Sequence, residues 1–195
     1  FLSFRRFALP EVLPAGPGIA IRPLREADWP GVLALDAAGF GAPREFLLRD
    51  FAARLPRSAL VAEGPGGLAG FALARDGVRS PQIGPVMARD DATGRGLVAA
   101  ALAALPPAAP GPRAVLDLLD ARTGIADWLR AHGAAEQRPF TRMARGVTLS
   151  PGSLISMKGR STADSVPRSS TPPVPKAGRA RWRSRSTSPS DRWPS

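Results

Sequence analysis

The sequence has 195 residues, no cysteine, a single histidine (His132) and a formal net charge of +11. The lack of cysteine excludes disulfides and thiolate metal sites, and one histidine excludes a multi-histidine metal centre, so no metal site is expected. Residues 147–195 carry +7 of the net charge, so the basic character belongs mainly to this end of the chain. It therefore says little about what the other residues bind.

No apolar run approaches the roughly 18 residues that a membrane-spanning helix needs. The start of the sequence, FLSFRRF, also lacks the apolar core of a signal peptide. These two features predict a cytoplasmic protein without membrane attachment. Because the sequence begins with Phe1 rather than methionine, we expect a fragment or a processed product.

Composition divides the chain into three segments. Residues 1–18 contain three prolines and two glycines, which predicts a linker. Residues 19–146 carry periodic apolar patterns and are long enough for a folded domain with its own core. Residues 147–195 are rich in Ser, Pro, Thr and Arg, which predicts either a disordered basic tail or the product of a shifted reading frame. Nucleic acid is not an expected partner, because the rest of the chain has neither aromatic stacking platforms nor a basic face.

The predicted elements alternate between strands and helices. In chain order the first half has a strand at 19–24, a helix capped by Asp28 and ending near Gly39 to Gly41, a helix at 43–55, and strands at 58–63 and 68–75. The second half has a strand containing Ile83, Val86 and Met87, a helix at 97–105, a strand at 114–119, a short helix capped by Thr123 and ended by Gly133, and a strand at 137–145. The GPGG turn at 64–67 predicts a hairpin. This order predicts an α/β (α+β) fold with a mixed, mainly antiparallel twisted sheet and helices on both faces.

Residues 82–105, QIGPVMARDDATGRGLVAAALAAL, are the most informative stretch. An apolar strand leads through two aspartates into a glycine-containing loop at 93–96, and a run of helix formers follows. A glycine loop between a strand and a helix can bind phosphate, because its N–H groups and the helix dipole favour anions. Such a short glycine pattern also occurs as a plain turn, so the stretch alone does not identify a cofactor.

The order of elements and several segments together resemble the GNAT superfamily of acyl-CoA-dependent N-acetyltransferases over residues 19–146. IRPLREADWPGVLALD is similar to the family's first strand and helix, and VAEGPGGLAGFALAR to its second and third strands. IGPVMARDDATGRGL and RPFTRMARG look like the C-terminal half of bacterial two-domain GNAT proteins. The resemblance implies acetyl-CoA as cosubstrate, a small amine or a lysine or N-terminal amine as acceptor, and an upstream GNAT domain.

In the GNAT family the fourth strand separates from the fifth, the pantetheine arm lies between them, and the pyrophosphate binds the loop after strand four. That loop reads Gln/Arg-x-x-Gly-x-Gly/Ala. It can be aligned here with Thr93 or with Asp91 at the Gln/Arg position, and neither alignment matches fully; we favour Thr93, which keeps the helix in register. The resemblance then implies cofactor contacts at Val86, Met87, Ala88, Thr93, Gly94, Arg95, Gly96, Leu97 and Val98.

Many GNAT enzymes use a tyrosine as general acid on the helix after strand five, where this sequence has Leu129. His132 lies nearby and is a candidate acid, or else a structural residue at the helix end. Glu63 and Asp117 are candidate general bases for the attacking amine, with structural positions in their strands as the alternative. Arg142 is a candidate contact for an acidic substrate or an ion-pair partner.

The sequence therefore leaves two functions open. One is acetyl transfer from acetyl-CoA to a primary amine by direct attack, which needs no cysteine nucleophile. The other is a non-catalytic GNAT-like module that shapes a substrate site or dimerises beside a catalytic GNAT domain. The incomplete glycine loop and the leucine in place of the tyrosine motivate the second.

Overall fold

A computed structural model of the chain describes residues 2–16, 18–107 and 111–142. The strands are β1 (Leu2–Leu9), β2 (Ile21–Pro23), β3 (Leu60–Gly64), β4 (Gly67–Arg75), β5 (Gln82–Ala88), β6 (Ala114–Leu119) and β7 (Ala135–Arg142). The helices are α1 (Trp29–Phe40), α2 (Glu45–Arg54), α3 (Asp91–Ala103) and α4 (Thr123–Ala131), with short 3-10 turns at Glu26–Asp28 and Pro56–Ser58.

All seven strands join one sheet in the order β2-β3-β4-β5-β6-β1-β7. The β5–β6 pair is parallel and the other neighbouring pairs are antiparallel. β3 and β4 form the expected hairpin, closed by the pair Gly64 and Gly67. The predicted fold class, a mixed and mainly antiparallel sheet, is confirmed.

Helices cover both faces of this sheet. Along β3, Leu60 and Ala62 pack in one apolar cluster and Val61 packs in the other, as alternation along a strand requires. The first cluster also holds the buried apolar side chains of α3 and α4, and the second holds those of α1 and α2. The α1 and α2 pair covers the sheet over β3, β4 and β5.

The prediction of a linker over residues 1–18 is wrong for residues 2–9, which form β1. This strand lies between β6 and β7 and pairs antiparallel with both. Its Phe4, Phe7 and Leu9 are almost completely buried. Arg5 and Arg6 interrupt the apolar pattern of β1. Their carboxylate partners, Asp120 and Asp117 respectively, are more than a hundred residues away in the sequence. The folded domain therefore includes residues that precede position 19.

The predicted loop at 93–96 is also wrong, because α3 already begins at Asp91. Asp90 is the N-cap, and its Oδ1 accepts a hydrogen bond from the Thr93 N–H at 2.7 Å. Aspartate is a strong N-cap residue, and it starts the helix before the glycines. Thr123 is likewise the first residue of α4 rather than its cap, which is Arg122.

Two further expectations concern the ends of the chain and membranes. The predicted last strand is present up to Arg142; its remaining residues and the predicted tail at 147–195 lie outside the described residues. Within the described ranges, no helix combines the length and apolar character that crossing a bilayer requires.

Candidate active site

The parallel strands β5 and β6 touch along only a short stretch. Gln82 pairs with Val115 and Ile83 with Leu116, and in the described chain no later residue of β5 pairs with β6. Beyond these pairs β5 continues beside β4, and β6 continues beside β1. The two strands thus diverge toward their carboxyl ends, as the resemblance implied. We call this opening the strand divergence.

Helices α3 and α4 begin at the wide end of the strand divergence, since each follows one of the two strands. Arg95 of α3 connects them: its Nη2 donates to the Gly124 carbonyl at 3.0 Å, and its guanidinium carbon lies 5.9 Å from the centre of the Trp128 ring. The Nε–H of Arg95 is buried and has no acceptor among the described residues. Arg95 therefore retains an unused donor near the start of α3.

Two features restrict the first turns of α3. The Asp90 carboxylate occupies the Thr93 N–H and places a negative charge at the helix N-terminus. Gly16, from the segment that follows β1, packs against Gly96 so closely that a Cβ on Gly16 would lie 3.0 Å from the Gly96 Cα. Thr93, Gly94 and Gly96 are buried.

The other predicted cofactor residues form two groups, according to whether their backbone borders the strand divergence. Val86, Met87 and Ala88 have buried side chains, but their backbone lies in the part of β5 that has left β6. Leu97 and Val98 are completely buried in the cluster beneath α3. Their side chains belong to the core, whereas the β5 residues border the strand divergence; a cofactor contact at any of these residues stays a prediction.

The three predicted catalytic residues do not come together. Glu63 lies next to the end of β3, which β4 and β5 separate from β6. Its side chain is 51% exposed and accepts a hydrogen bond from Arg22 Nε at 2.6 Å. His132 is the C-cap of α4, and its Nδ1 lies 2.7 Å from the Trp128 carbonyl oxygen. Because α4 begins at the strand divergence, His132 lies about 13 Å away along the helix.

Asp117 is the predicted catalytic residue that adjoins the strand divergence. It follows Leu116, the last β6 residue paired with β5, and its side chain is only 17% exposed. Arg6 donates to both of its oxygens, from Nε at 2.6 Å and from Nη2 at 2.8 Å. Gln82 Nε2 donates to Oδ2 at 2.8 Å. The hydrogen bonds that Arg6 donates to the Asp117 carboxylate raise the pKa of Arg6 above its ordinary value.

A basic cavity that the sequence did not predict lies beside Asp117. It has a volume of about 830 Å³, and its lining includes Arg6, Arg75, Arg79, Gln82 and Arg138. These residues come from β1, β4, the β4–β5 loop, β5 and β7. No local motif links them, and Arg6 lay in the segment interpreted as a linker, so the sequence offered no signal for the group.

A comparison with models of protein families identifies the family of this chain. A model described as "Acetyltransferase (GNAT) domain" matches residues 32–153, more than half of the chain. The chain belongs to the GNAT acetyltransferases. Its β1 precedes the matched residues, so the strand between β6 and β7 comes from outside the matched region.

Solved structures with a similar fold support the architecture. A GCN5-related N-acetyltransferase from Sphaerobacter thermophilus is 21% identical, with a TM-score of 0.52 over 71% of this chain and 49% of that one. A Pyrococcus horikoshii protein named as a candidate acetyltransferase is 14% identical, with a TM-score of 0.50 over 82% of this chain and 52% of that one. The chain thus spans about half the length of these structures. A comparison with curated proteins gives no match.

GNAT acetyltransferases generally use acetyl-CoA. The residues of this GNAT chain fit the pantetheine arm and the pyrophosphate of acetyl-CoA to different extents. The separated backbone of β5 suits an extended arm lying alongside it as an added strand would. The buried Nε–H of Arg95 suits a phosphate oxygen. The Asp90 carboxylate opposes a phosphate at the N-terminus of α3. The chain therefore fits the pantetheine arm better than the pyrophosphate.

The remaining GNAT-derived expectations concern the proton donor and the substrate contact. Leu129, at the position of the family's tyrosine, is fully buried and carries no titratable group. Arg142 belongs to β7, where its backbone is opposite Leu2 of β1, and its side chain is outside the described structure.

Proposed function

We propose that this chain is an acyl-CoA-dependent N-acetyltransferase domain that moves an acetyl group from acetyl-CoA to a primary amine by direct attack. The observation that supports this function is the strand divergence. It leaves one edge of the β5 backbone, from Gly84 to Ala88, without a strand partner in the described chain. Unpaired N–H and C=O groups in an otherwise buried sheet favour an extended ligand that can pair with them.

The reaction exchanges one bond for another at the thioester carbonyl. The amine nitrogen forms a bond to the carbonyl carbon, the carbon–sulfur bond breaks, the amine loses a proton, and the thiolate leaves and takes one up. A backbone N–H near Val86–Ala88 donates a hydrogen bond to the carbonyl oxygen as negative charge develops there. The amine is the nucleophile, so a sequence without cysteine can support the reaction.

Asp117 is the proposed group that receives the amine proton. It is at the narrow end of the strand divergence, whereas Glu63 lies three strands away and His132 at the far end of α4. Its oxygens already accept hydrogen bonds from Arg6 and Gln82. The incoming amine must therefore share an oxygen with these donors, which fix the orientation of the carboxylate.

Titration of the full chain with acetyl-CoA by calorimetry tests the proposal. We expect binding at sub-millimolar cofactor and slow release of free CoA when amines are added. Ala92 is exposed in the first turn of α3, so Ala92→Glu suits the helix but repels phosphate, and it should weaken binding about fivefold. Ala103→Glu, at the exposed far end of the same helix, is the matched control. A folded chain that gives no heat with acetyl-CoA contradicts the proposal.

A non-catalytic GNAT-like module is the second candidate function. Three observations favour it: the Asp90 carboxylate at the start of α3, the contact of Gly16 with Gly96, and the buried Leu129. Such a module would shape a substrate site or dimerise beside a catalytic GNAT domain of a longer protein. The same titration separates the two candidates, because the module would remain folded and bind no acetyl-CoA.

A further inference from the structure

The basic cavity lies on the face of the sheet that α1 and α2 leave open. These helices pack over β3, β4 and β5. Helix α2 reaches the edge of the cavity through Phe51, whose ring lies 4.6 Å from the Arg75 guanidinium carbon, and through Arg54, which pairs with Asp76. The floor is formed by β5, β6 and β1, and Arg138 of β7 closes one side. Arg79 and Ser80 of the β4–β5 loop close the other. The distance from β5 to β7 is three strand spacings, about 14 Å.

The positive charges of the cavity exceed its negative ones. Four arginines line it, with Asp76 as the acidic lining residue and Asp117 adjoining them. Asp117 is paired with Arg6, and Asp76 is paired with Arg54, which does not line the cavity. In the described chain Arg75, Arg79 and Arg138 have no carboxylate partner. Three guanidinium groups thus share one cavity without an ion pair in the described chain, although the Asp117 charge acts on Arg75 from nearby.

Arg75 is the most constrained of these three cations. Its Nη2 donates to the neutral Gln82 Oε1 at 2.7 Å, and its guanidinium stacks on Phe51. Burial lowers the pKa of Arg75 from its ordinary value, because the cation has lost part of its hydration. An arginine nevertheless stays charged at neutral pH. A partly dehydrated cation without an ion-pair partner of its own is stabilised when a ligand brings a negative charge to it.

The cavity is connected to the proposed reaction through Gln82. The Gln82 amide accepts from Arg75 and donates to Asp117, the proposed proton acceptor, so it joins cavity and strand divergence. Gln82 and Val115, which both line the cavity, also form the first of the two pairs that hold β5 to β6. A ligand in the cavity therefore lies next to the place where the amine must be.

We propose that the basic cavity binds the acceptor through an anionic group, a carboxylate or a phosphate, held by Arg75, Arg79 and Arg138 while the amine points toward Asp117. This inference rests on the proposed function, in which the ligand is the acceptor. Arginine is suited to either anion, because its planar donors match two oxygens at once. A cationic acceptor would meet three unpaired guanidinium groups and be repelled.

Two matched pairs of amines test the inference with the full chain and without acetyl-CoA. 4-Aminobutyrate is compared with 4-aminobutanamide, and glucosamine 6-phosphate with glucosamine, by calorimetric titration. Only the first member of each pair carries an anionic group; we call it the acidic member and the other the neutral one. Within at least one pair, the acidic member should bind at least about tenfold more tightly than the neutral one. The pair that shows the difference identifies the anion as carboxylate or phosphate.

Substitutions locate the binding. Arg138→Ala and Arg79→Ala should each weaken the acidic amine about tenfold, because each removes a charge-assisted hydrogen bond. Arg57→Ala is the control, since Arg57 is also exposed, lies outside the lining and has no side-chain partner in the described chain. All three should fold, because none breaks a described contact.

Two results would overturn the inference: neutral amines binding as tightly as acidic ones in both pairs, or Arg57→Ala weakening the acidic amine as much as Arg138→Ala. The test is independent of catalysis. Binding of acidic amines without any acetyl transfer would reject the proposed function and keep the anion site. Acetylation of neutral amines only would keep the function and reject the site.

Discussion

The sheet consists of two halves that the chain builds in different ways. In β2-β3-β4-β5, every neighbouring pair of strands is consecutive in the sequence. In β6-β1-β7, the central strand comes from the other end of the described chain, and its Arg5 pairs with Asp120 across 115 residues. Two residue pairs, Gln82 with Val115 and Ile83 with Leu116, join the halves. The half with consecutive strands is specified by segments that are close in the sequence. The other half requires β1, which is far from β6 and β7 in the sequence.

The largest effect is expected from a core substitution in the half that contains β1. Phe7 of β1 is fully buried against the α3 and α4 face, so Phe7→Ala should lower the free energy of unfolding by about 3–5 kcal/mol. Urea unfolding followed by tryptophan fluorescence measures the change. Phe46→Ala is the control, because Phe46 is 88% exposed, and it should change stability by less than about 0.5 kcal/mol. Equal losses for the two variants would mean that β1 does not stabilise the sheet.

A smaller effect is expected for the ion pair that joins β1 to β6, within the same half of the sheet. Arg6→Ala removes the two hydrogen bonds that β1 donates to Asp117 and leaves that carboxylate with Gln82. The expected loss is about 2 kcal/mol in the same unfolding experiment. Arg57→Ala, which removes an exposed arginine, should be nearly neutral. If Arg6→Ala is equally neutral, the ion pair contributes nothing to joining β1 and β6.

The strand divergence can be tested by changing the charge at its wide end. Asp90→Ser keeps a side chain that can cap α3 but removes the negative charge. Acetyl-CoA should then bind about two- to fivefold more tightly, as calorimetry would measure. An unchanged affinity would show that Asp90 does not face the phosphates.

The smallest effect is expected from removing one paired carboxylate in each half and measuring how the stability depends on pH. Hydrogen bonds from Arg22 lower the pKa of Asp28, and those from Arg130 lower the pKa of Glu136. A carboxylate with a lowered folded pKa stabilises the protein above its unfolded pKa, and this stability is lost as the pH falls through the folded value. Asp28→Asn and Glu136→Gln should therefore each cost stability at neutral pH and little near about pH 2.

The Asp28 variant should show the stronger pH dependence of the two, because the Asp28 side chain is 10% exposed and that of Glu136 is 33% exposed. Free energies of unfolding in urea at neutral and acid pH measure both. A variant whose loss grows as the pH falls would contradict the sign of the linkage.

The two halves also differ in how well the sequence predicts them. The β3–β4 hairpin follows from its glycine turn and apolar strands, and α1 ends at Gly41, as expected, because that residue adopts a left-handed conformation. β1 escaped prediction because Arg5 and Arg6 point to opposite faces and each finds its carboxylate on or after β6. Such pairing across the chain leaves no trace in a short sequence window.

The candidate site, like the sheet, was predictable only in part. The place of the strand divergence followed from the family resemblance, since β5 and β6 were recognised as strands. The start of α3 was not, because the capping by Asp90 competes with the glycine pattern that follows it. The basic cavity is built from β1, β4, β5, β6, β7 and the β4–β5 loop, so predicting it required the fold itself.

The position of β1 has a consequence for how the chain folds. Synthesis at about 5–20 residues per second separates β1 from β6 by roughly 5–25 s. During that interval Phe4, Phe7 and Leu9 have no partner strands to bury them. Pairing between such distant segments is slow, and exposed apolar segments are prone to aggregate. The nascent chain should therefore depend on chaperones until α4 and β7 emerge, and only then can the sheet close around its first strand.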